Sequence, residues 1–291
     1  MANYNSGGKL VFEVNGGNYT VNFNADGTYQ FLNLYSHTVS SAPKYVVVDS
    51  GGTLGVSNTA PGTSAYGAFH QDGTTTLSAN ITNVSTTPIS VASTDSFPSA
   101  GWILIESEII QYTAKTSTTF TGITRGVLGT TNVAHTAGAA ISEVQGTGSP
   151  TTIGTVLLNN TDYSNGVYTS ADFSKVYFDY AGTYNIQISV QLLNFTTSDD
   201  NVTMWFRKNG VDVAASASIE EVNAKHGSSP GARILAFNVF LDVVNGDYIS
   251  LAWTSDSGNS VVATYPAGTS PVHPVSPALI LTAQFVSAPL S

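Results

Sequence analysis

Residues 173–210, FSKVYFDYAGTYNIQISVQLLNFTTSDDNVTMWFRKNG, decide how the chain is read. Lys175 to Tyr180 alternates and stops at Ala181-Gly182. Tyr184, Ile186, Ile188, Val190 and Leu192 then interleave with Asn185, Gln187, Ser189 and Gln191, setting one apolar face against one polar face. That period of two marks a half-buried strand. A polar loop, Thr196 to Asn201, leads into a third alternating run, Val202 to Lys208, which ends on the hairpin signal Asn209-Gly210. Further on, Ala236 to Val243 alternates, Asn245-Gly246-Asp247 turns, Tyr248 to Trp253 returns as YISLAW, and Ala278 to Val286 reads ALILTAQFV.

Composition agrees with an all-β chain. Only 10% of the 291 residues are charged, against about a quarter in ordinary domains, so helices have few of the side chains they are built from. Abundant Tyr and Phe favour strands. A formal net charge of -10, with nine Lys plus Arg, leaves no basic cluster for phosphate contacts, so no nucleic-acid partner is expected. The absence of cysteine excludes disulfides and thiolate metal sites. No apolar run reaches membrane-spanning length, and MANYNSGGKL carries no secretory signal, so cytoplasmic synthesis and no membrane partner are expected.

The chain divides into three regions. Residues 1–84 read as an N-terminal β domain: Lys9–Val14, Tyr19–Phe23, Tyr29–Tyr35 and Tyr45–Val48 alternate or run apolar between Gly- and Asn-rich turns. Within it, Thr53 to Thr76 is rich in Gly, Ser, Thr and Ala, and reads as a surface loop or an extended arm. Residues 85–145 form a small β module, with strands at Trp102–Ile105 and Glu108–Tyr112. Gly146 to Pro150 is a flexible linker opening the last region, 146–291.

Two resemblances attach to these segments. Phe178, Gly182, Tyr184, the turn Lys208-Asn209-Gly210, the strand running into Asn245-Gly246-Asp247-Tyr248 and the last apolar strand resemble the trimeric jelly roll of tumour necrosis factor and complement globular heads, over about half the chain. That resemblance implies a C-terminal jelly-roll sandwich, a homotrimer, and loops displayed for binding rather than catalysis. FPSAGWILIESEIIQY, TTFTGITRGVLGTT and AHTAGAAI, between Phe97 and Ile141, resemble a small β module found in bacteriophage structural proteins. Together they imply a non-enzymatic virion protein made in the host bacterial cytoplasm. The expected location is the capsid surface, as a decoration or cement protein bound to the major capsid protein. The alternative is a tail-fibre or receptor-binding protein, attached to tail components and recognising host surface glycans. Trp205, Phe237, Val239, Phe240, Tyr248, Leu251 and Trp253 are expected in the trimer or jelly-roll core, the division between the two being open. Tyr163, Tyr168, Tyr265 and the proline-flanked His273 are the candidate ligand-facing loop residues, since a ring offers a sugar a flat apolar face with a polar tip.

Candidate chemistry is sparse. Glu106 and Glu108 lie two apart, and carboxylate pairs hydrolyse glycosides; simple alternation places both on a solvent face, opposite Ile105 and Ile109. Asp199, Asp200, Asn201 and Asp256 offer oxygens suited to calcium without the calcium-loop spacing. The five histidines show no ligand spacing, and Arg125 and His135 are expected in a salt bridge or turn contact. No phosphate loop, nucleophile elbow or zinc motif is present, so no cofactor or metal is expected.

Overall fold

A computed structural model of the chain describes residues 65–269 and 271–287 throughout, and the backbone of five strands before them. Among the described residues every helix-or-strand element is a strand, and none is a helix able to cross a membrane. Contacts divide the chain into two compact units, 1–63 and 64–291. In the first, Lys9–Val14, Gly17–Phe23 and Tyr29–Leu32 form an antiparallel meander, and Tyr45–Val48 pairs with Leu54–Ser57. The turns read at 15–16 and 25–27 lie outside the described residues.

The second unit is built on a two-sheet antiparallel sandwich. One sheet runs in the order Asn160–Asn165, Tyr66–Gln71, Leu279–Ser287, Gly182–Asn194, Gly231–Val243. The other runs Val167–Thr169, Val176–Phe178, Tyr248–Ser255, Asp200–Lys208, Ser218–Val222. The alternation read in the sequence is what the sheet uses. Tyr184, Ile186, Ile188, Val190 and Leu192 are all buried, while Asn185, Gln187, Ser189 and Gln191 face the other way. The inner faces share one core that includes Phe69, Phe178, Phe206, Met204, Leu251 and Trp253. Burying such side chains contributes about 1.5–3 kcal/mol each.

Tyr66–Gln71 departs from the expected loop or arm. It is a strand between Asn160–Asn165 and Leu279–Ser287, and its Phe69 is fully buried. Its other inward residues, Gly67 and Gln71, give no apolar alternation, which is why the composition read as irregular. Residues 58–64 of that stretch lie outside the described residues.

The middle module has its own core, from Leu77, Ile89, Phe97, Ile103, Tyr112 and Phe120 among others. It joins the sandwich through the strand Ala140–Gly146 and through an apolar cluster in which Ile109 and Leu128 meet Leu193 and Phe195. That strand pairs with Gly101–Ile105 on one edge, and with Thr74–Thr76 and then Val261–Ala263 on the other. Val261–Ala263 in turn pairs with the end of Gly182–Asn194.

The two turn motifs singled out in the sequence meet at one corner. The Asn209 amide donates to the Asp247 carboxylate at 2.6 Å, and the Tyr248 N–H donates to Asn209 Oδ1 at 3.0 Å. Lys208 Nζ lies 3.2 Å from the same carboxylate. Asn209 and Gly210 both take positive φ, 51° and 82°, the conformation an Asn-Gly hairpin turn supplies at least cost.

Trp253 is 1% exposed, and a Cβ added at Gly154 would stand 2.7 Å from its ring nitrogen, so the indole is clamped by backbone. Trp253→Ala is expected to cost about 3–5 kcal/mol, read as a fall in the urea unfolding midpoint. Trp205→Ala, at a half-buried position on the opposite face, is expected to cost less than half as much.

Candidate functional site

The outward face of the first sheet is unusual in what it lacks. Its register sets Tyr66, Gln284, Asn185 and Phe240 in one row across four strands. Tyr163, Ala68, Thr282, Gln187 and Asn238 form the next row, and His70, Ile280, Ser189 and Ala236 the one after. Charge is confined to the margins, at Asp242 and where His70 meets Asp72 and Asp162. Large apolar side chains stand exposed within it: Tyr163 69%, Ile234 64% and Phe240 61%. Between Tyr66 and Tyr163 on one side and Asn185, Gln187 and Gln284 on the other lies a groove of about 560 Å³. Gly231–Val243 borders this face, pairs only with Gly182–Asn194, and leaves its second edge without a strand partner among the described residues. That edge is covered at its two ends, where Gly231 packs on the Asn223 backbone and Lys208 Nζ donates to the Asp242 carbonyl at 2.8 Å, and the open middle is a template for another chain.

The structure divides the seven aromatic and aliphatic candidates. Leu251 and Trp253 belong to the sandwich core, and Phe237 and Val239 pack half-buried against it. Trp205 and Tyr248 face outward on the second sheet. There Trp205 Nε1 donates to Asp212 at 2.7 Å, and Tyr248 meets the Tyr177 ring at 5.4 Å. Phe240 alone of the seven projects from the first sheet's outward face.

The loop candidates also separate. Tyr163 stands on a strand, not in a loop, and lines the groove. Tyr168 is likewise on a strand, stacked on Tyr177 at 5.6 Å, because cross-strand register places the rings side by side. Tyr265 is half-buried. Its backbone bridges Ser276, its ring packs against the Leu193–Phe195 cluster, and burial pushes its hydroxyl pKa up. His273 is exposed, with Nδ1 2.8 Å from the carbonyl of Pro274. His37 lies outside the described residues.

The carboxylate pair corrects the expectation most sharply. Glu106 and Ser107 form the turn between two strands, Glu106 with φ of 53°, so only Glu108 belongs to the strand that follows. Glu108 is fully buried. Its Oε1 accepts from Arg125 Nε at 2.6 Å and from the Gly126 N–H at 3.1 Å. Its Oε2 accepts from Arg125 Nη2 at 2.7 Å and from the Val133 N–H at 3.0 Å, and His135 Nε2 lies 2.9 Å away. Glu106 faces the other ring nitrogen of His135 at 2.8 Å. Arg125 also donates to the carbonyls of Thr82 and Val133. Five contacts from four residues saturate the four lone-pair positions of one carboxylate, leaving none for a substrate. Burial works against the ionised form, but Arg125, the Val133 N–H and His135 outweigh it and hold the carboxyl below its usual range. The group is the knot that ties the module's loops together.

The aspartates read as possible calcium ligands are likewise committed to protein donors. Asp200, 3% exposed, accepts from Ser255 Oγ at 2.5 Å and from the Ser257 N–H at 2.8 Å. Asp199 accepts from the Ala224 N–H, and Asp256 from Asn201. Among the described residues no three His, Asp or Glu side chains are grouped to hold a metal ion. Neither a comparison with models of protein families nor one with curated proteins finds a match for this chain.

Arg125→Met strands Glu108 in the interior and is expected to cost about 3–5 kcal/mol, measured by urea unfolding at neutral pH. Because Glu108 titrates lower when folded, its contribution is present above the unfolded carboxylate range and is lost as pH falls through the folded value. The acid limb of stability against pH should therefore be flatter in Glu108→Gln than in the native protein.

Proposed function

We propose that this chain is a structural protein of a bacteriophage particle, a homotrimer that decorates the capsid surface and is not an enzyme. The observation that carries the reading is the outward face of the first sheet: exposed Phe240, Ile234 and Ile280, central amides, charge only at the margins, and beside it a strand edge with no strand partner among the described residues. Depletion of charge with exposed aromatic and aliphatic groups is the composition of an interface centre. A copy of the same chain is the occupant, because the face and the edge lie next to each other and a closed ring repeats one contact at every subunit. The order of strands in the two sheets supports a jelly roll, and the Glu108–Arg125–His135 knot holds the loops of the middle module together. A trimer that binds only the assembled shell stabilises it by mass action.

One observation favours the second reading, a tail-fibre or receptor-binding protein. Tyr66 and Tyr163 beside Asn185, Gln187 and Gln284 are a ring-and-amide lining suited to a neutral glycan.

Sedimentation equilibrium is expected to give three times the chain mass at micromolar concentration. Phe240→Asp with Ile234→Asp should give a monomer with an unchanged far-UV spectrum. Cosedimentation with undecorated capsids is expected for the full chain. Binding to host cells instead of capsids would move the protein to the tail, and a folded monomer that binds neither would overturn both readings.

A further inference from the structure

The join between module and sandwich contains a buried acid that the fold does not neutralise with a counter-ion pair. Glu143 sits mid-way along Ala140–Gly146, the strand shared by the two parts, and is 1% exposed. Its side chain is where separate segments converge. The Asn159 amide donates to Glu143 Oε2 at 3.1 Å and to the Ser96 carbonyl at 2.8 Å, tying the start of the sandwich to a module loop. A Cβ added at Gly73 would stand 2.6 Å from the same oxygen, so the 71–74 turn closes over it. Asn160 donates to Asp72 at 2.6 Å on that turn. Lys115 Nζ gives two of its three donors to the Thr94 and Phe97 carbonyls, each at 2.5 Å, and forms no ion pair with Glu143.

The charged and titratable groups facing Glu143 are Asp72 from the turn, Asp95 from the module loop, and Lys115 and Tyr112 from the module strands. From the sandwich come amides, Asn159 and Asn160. The Gln71 amide lies close enough to favour the ionised form, yet it is fully buried and makes no hydrogen bond of regular geometry. A cavity of about 90 Å³ adjoins the carboxyl, lined also by Phe97, Leu157 and Phe173. That is room for a few water molecules at about 30 Å³ each.

We propose that Glu143 is a proton-operated latch: with its carboxyl neutral the seam between module and sandwich is closed, and with the carboxylate formed the seam takes up water and loosens. The physical drive is the cost of a buried charge that has amide donors but no counter-ion, relieved by hydrating the adjoining cavity. Burial pushes the Glu143 carboxyl up to about 7, with Asp72 adding to the push and Lys115 opposing it. The folded value therefore lies above the unfolded one. The stabilising state is complete below the unfolded carboxylate range and is lost as pH rises through neutrality. The inference stands apart from the oligomeric state, which sedimentation reads independently.

The test is hydrogen exchange by mass spectrometry on the full chain at pH 6 and pH 8, corrected for intrinsic rates. Protection over 94–98, 140–146 and 157–160 is expected to fall by roughly threefold or more at pH 8, with Gly182–Asn194 unchanged. Glu143→Gln should remove the difference. Equal protection at the two pH values in the native chain, or a drop that persists in Glu143→Gln, overturns the latch. If the variant does not fold, the carboxyl carbon of Glu143 in the native protein decides by NMR. A midpoint near neutrality supports the proposal, and one in the ordinary carboxylate range overturns it.

Discussion

Gly182–Asn194 is hydrogen-bonded along both edges, to Gly231–Val243 over all thirteen residues and to Leu279–Ser287 over most of its length. From Tyr184 to Leu192 its inward residues are all apolar and its outward ones all polar, so a slip of one residue would exchange the two sets. That ladder fixes the register of both neighbours. Through Leu279–Ser287 it fixes Tyr66–Gln71, and through Val261–Ala263 it reaches Ala140–Gly146 and the module. The rows of the outward face are a consequence of this one alignment. Tyr66, Gln284, Asn185 and Phe240 come from four distant parts of the chain and share a row because the ladder allows no other pairing.

What the sequence disclosed follows the range of the physics. Alternation and turn chemistry are local, and they were legible: the strand at 182–194, the Asn209-Gly210 hairpin and the turn at Asn245–Asp247 all stand where the residues place them. The meeting of those two turns through Asn209 and Asp247 is a tertiary contact, 38 residues apart, that no window of sequence contains. The division of Trp253 and Leu251 from Phe240 depends on which neighbour each strand takes. Tyr66–Gln71 was hidden because its inward residues, Gly67, Phe69 and Gln71, include one apolar side chain only, so the usual apolar signal is missing.

Glu108 shows the opposite failure, where a local rule gave the wrong face. Two strands are legible, Trp102–Ile105 and Glu108–Tyr112, but alternation carried across the gap between them puts Glu108 on a solvent face, whereas the chain reverses at Glu106-Ser107. Arg125 and His135, 17 and 27 residues further on, are what make a buried carboxylate tolerable. The sequence names all three residues, and only the closure of the module's loops brings them to one point. The candidate interface has the same character. Its exposed aromatics could be listed from the sequence, whereas the absence of charge between them is a property of the assembled sheet.

The placement of Tyr66–Gln71 beside Leu279–Ser287 has a consequence for biosynthesis. A strand made early waits through some two hundred residues of translation for its hydrogen-bonding neighbour. Until then Phe69 has no complete core to enter, and Gly182–Asn194 has one bare edge. Contacts of such separation are slow to form, because loop closure must precede any reward from pairing. The middle module, whose strands lie close in sequence, can condense while the ribosome is still working. The sandwich must wait until Leu279–Ser287 has been made. During that interval the unfinished sheet is exposed to chaperones and to other nascent copies of itself.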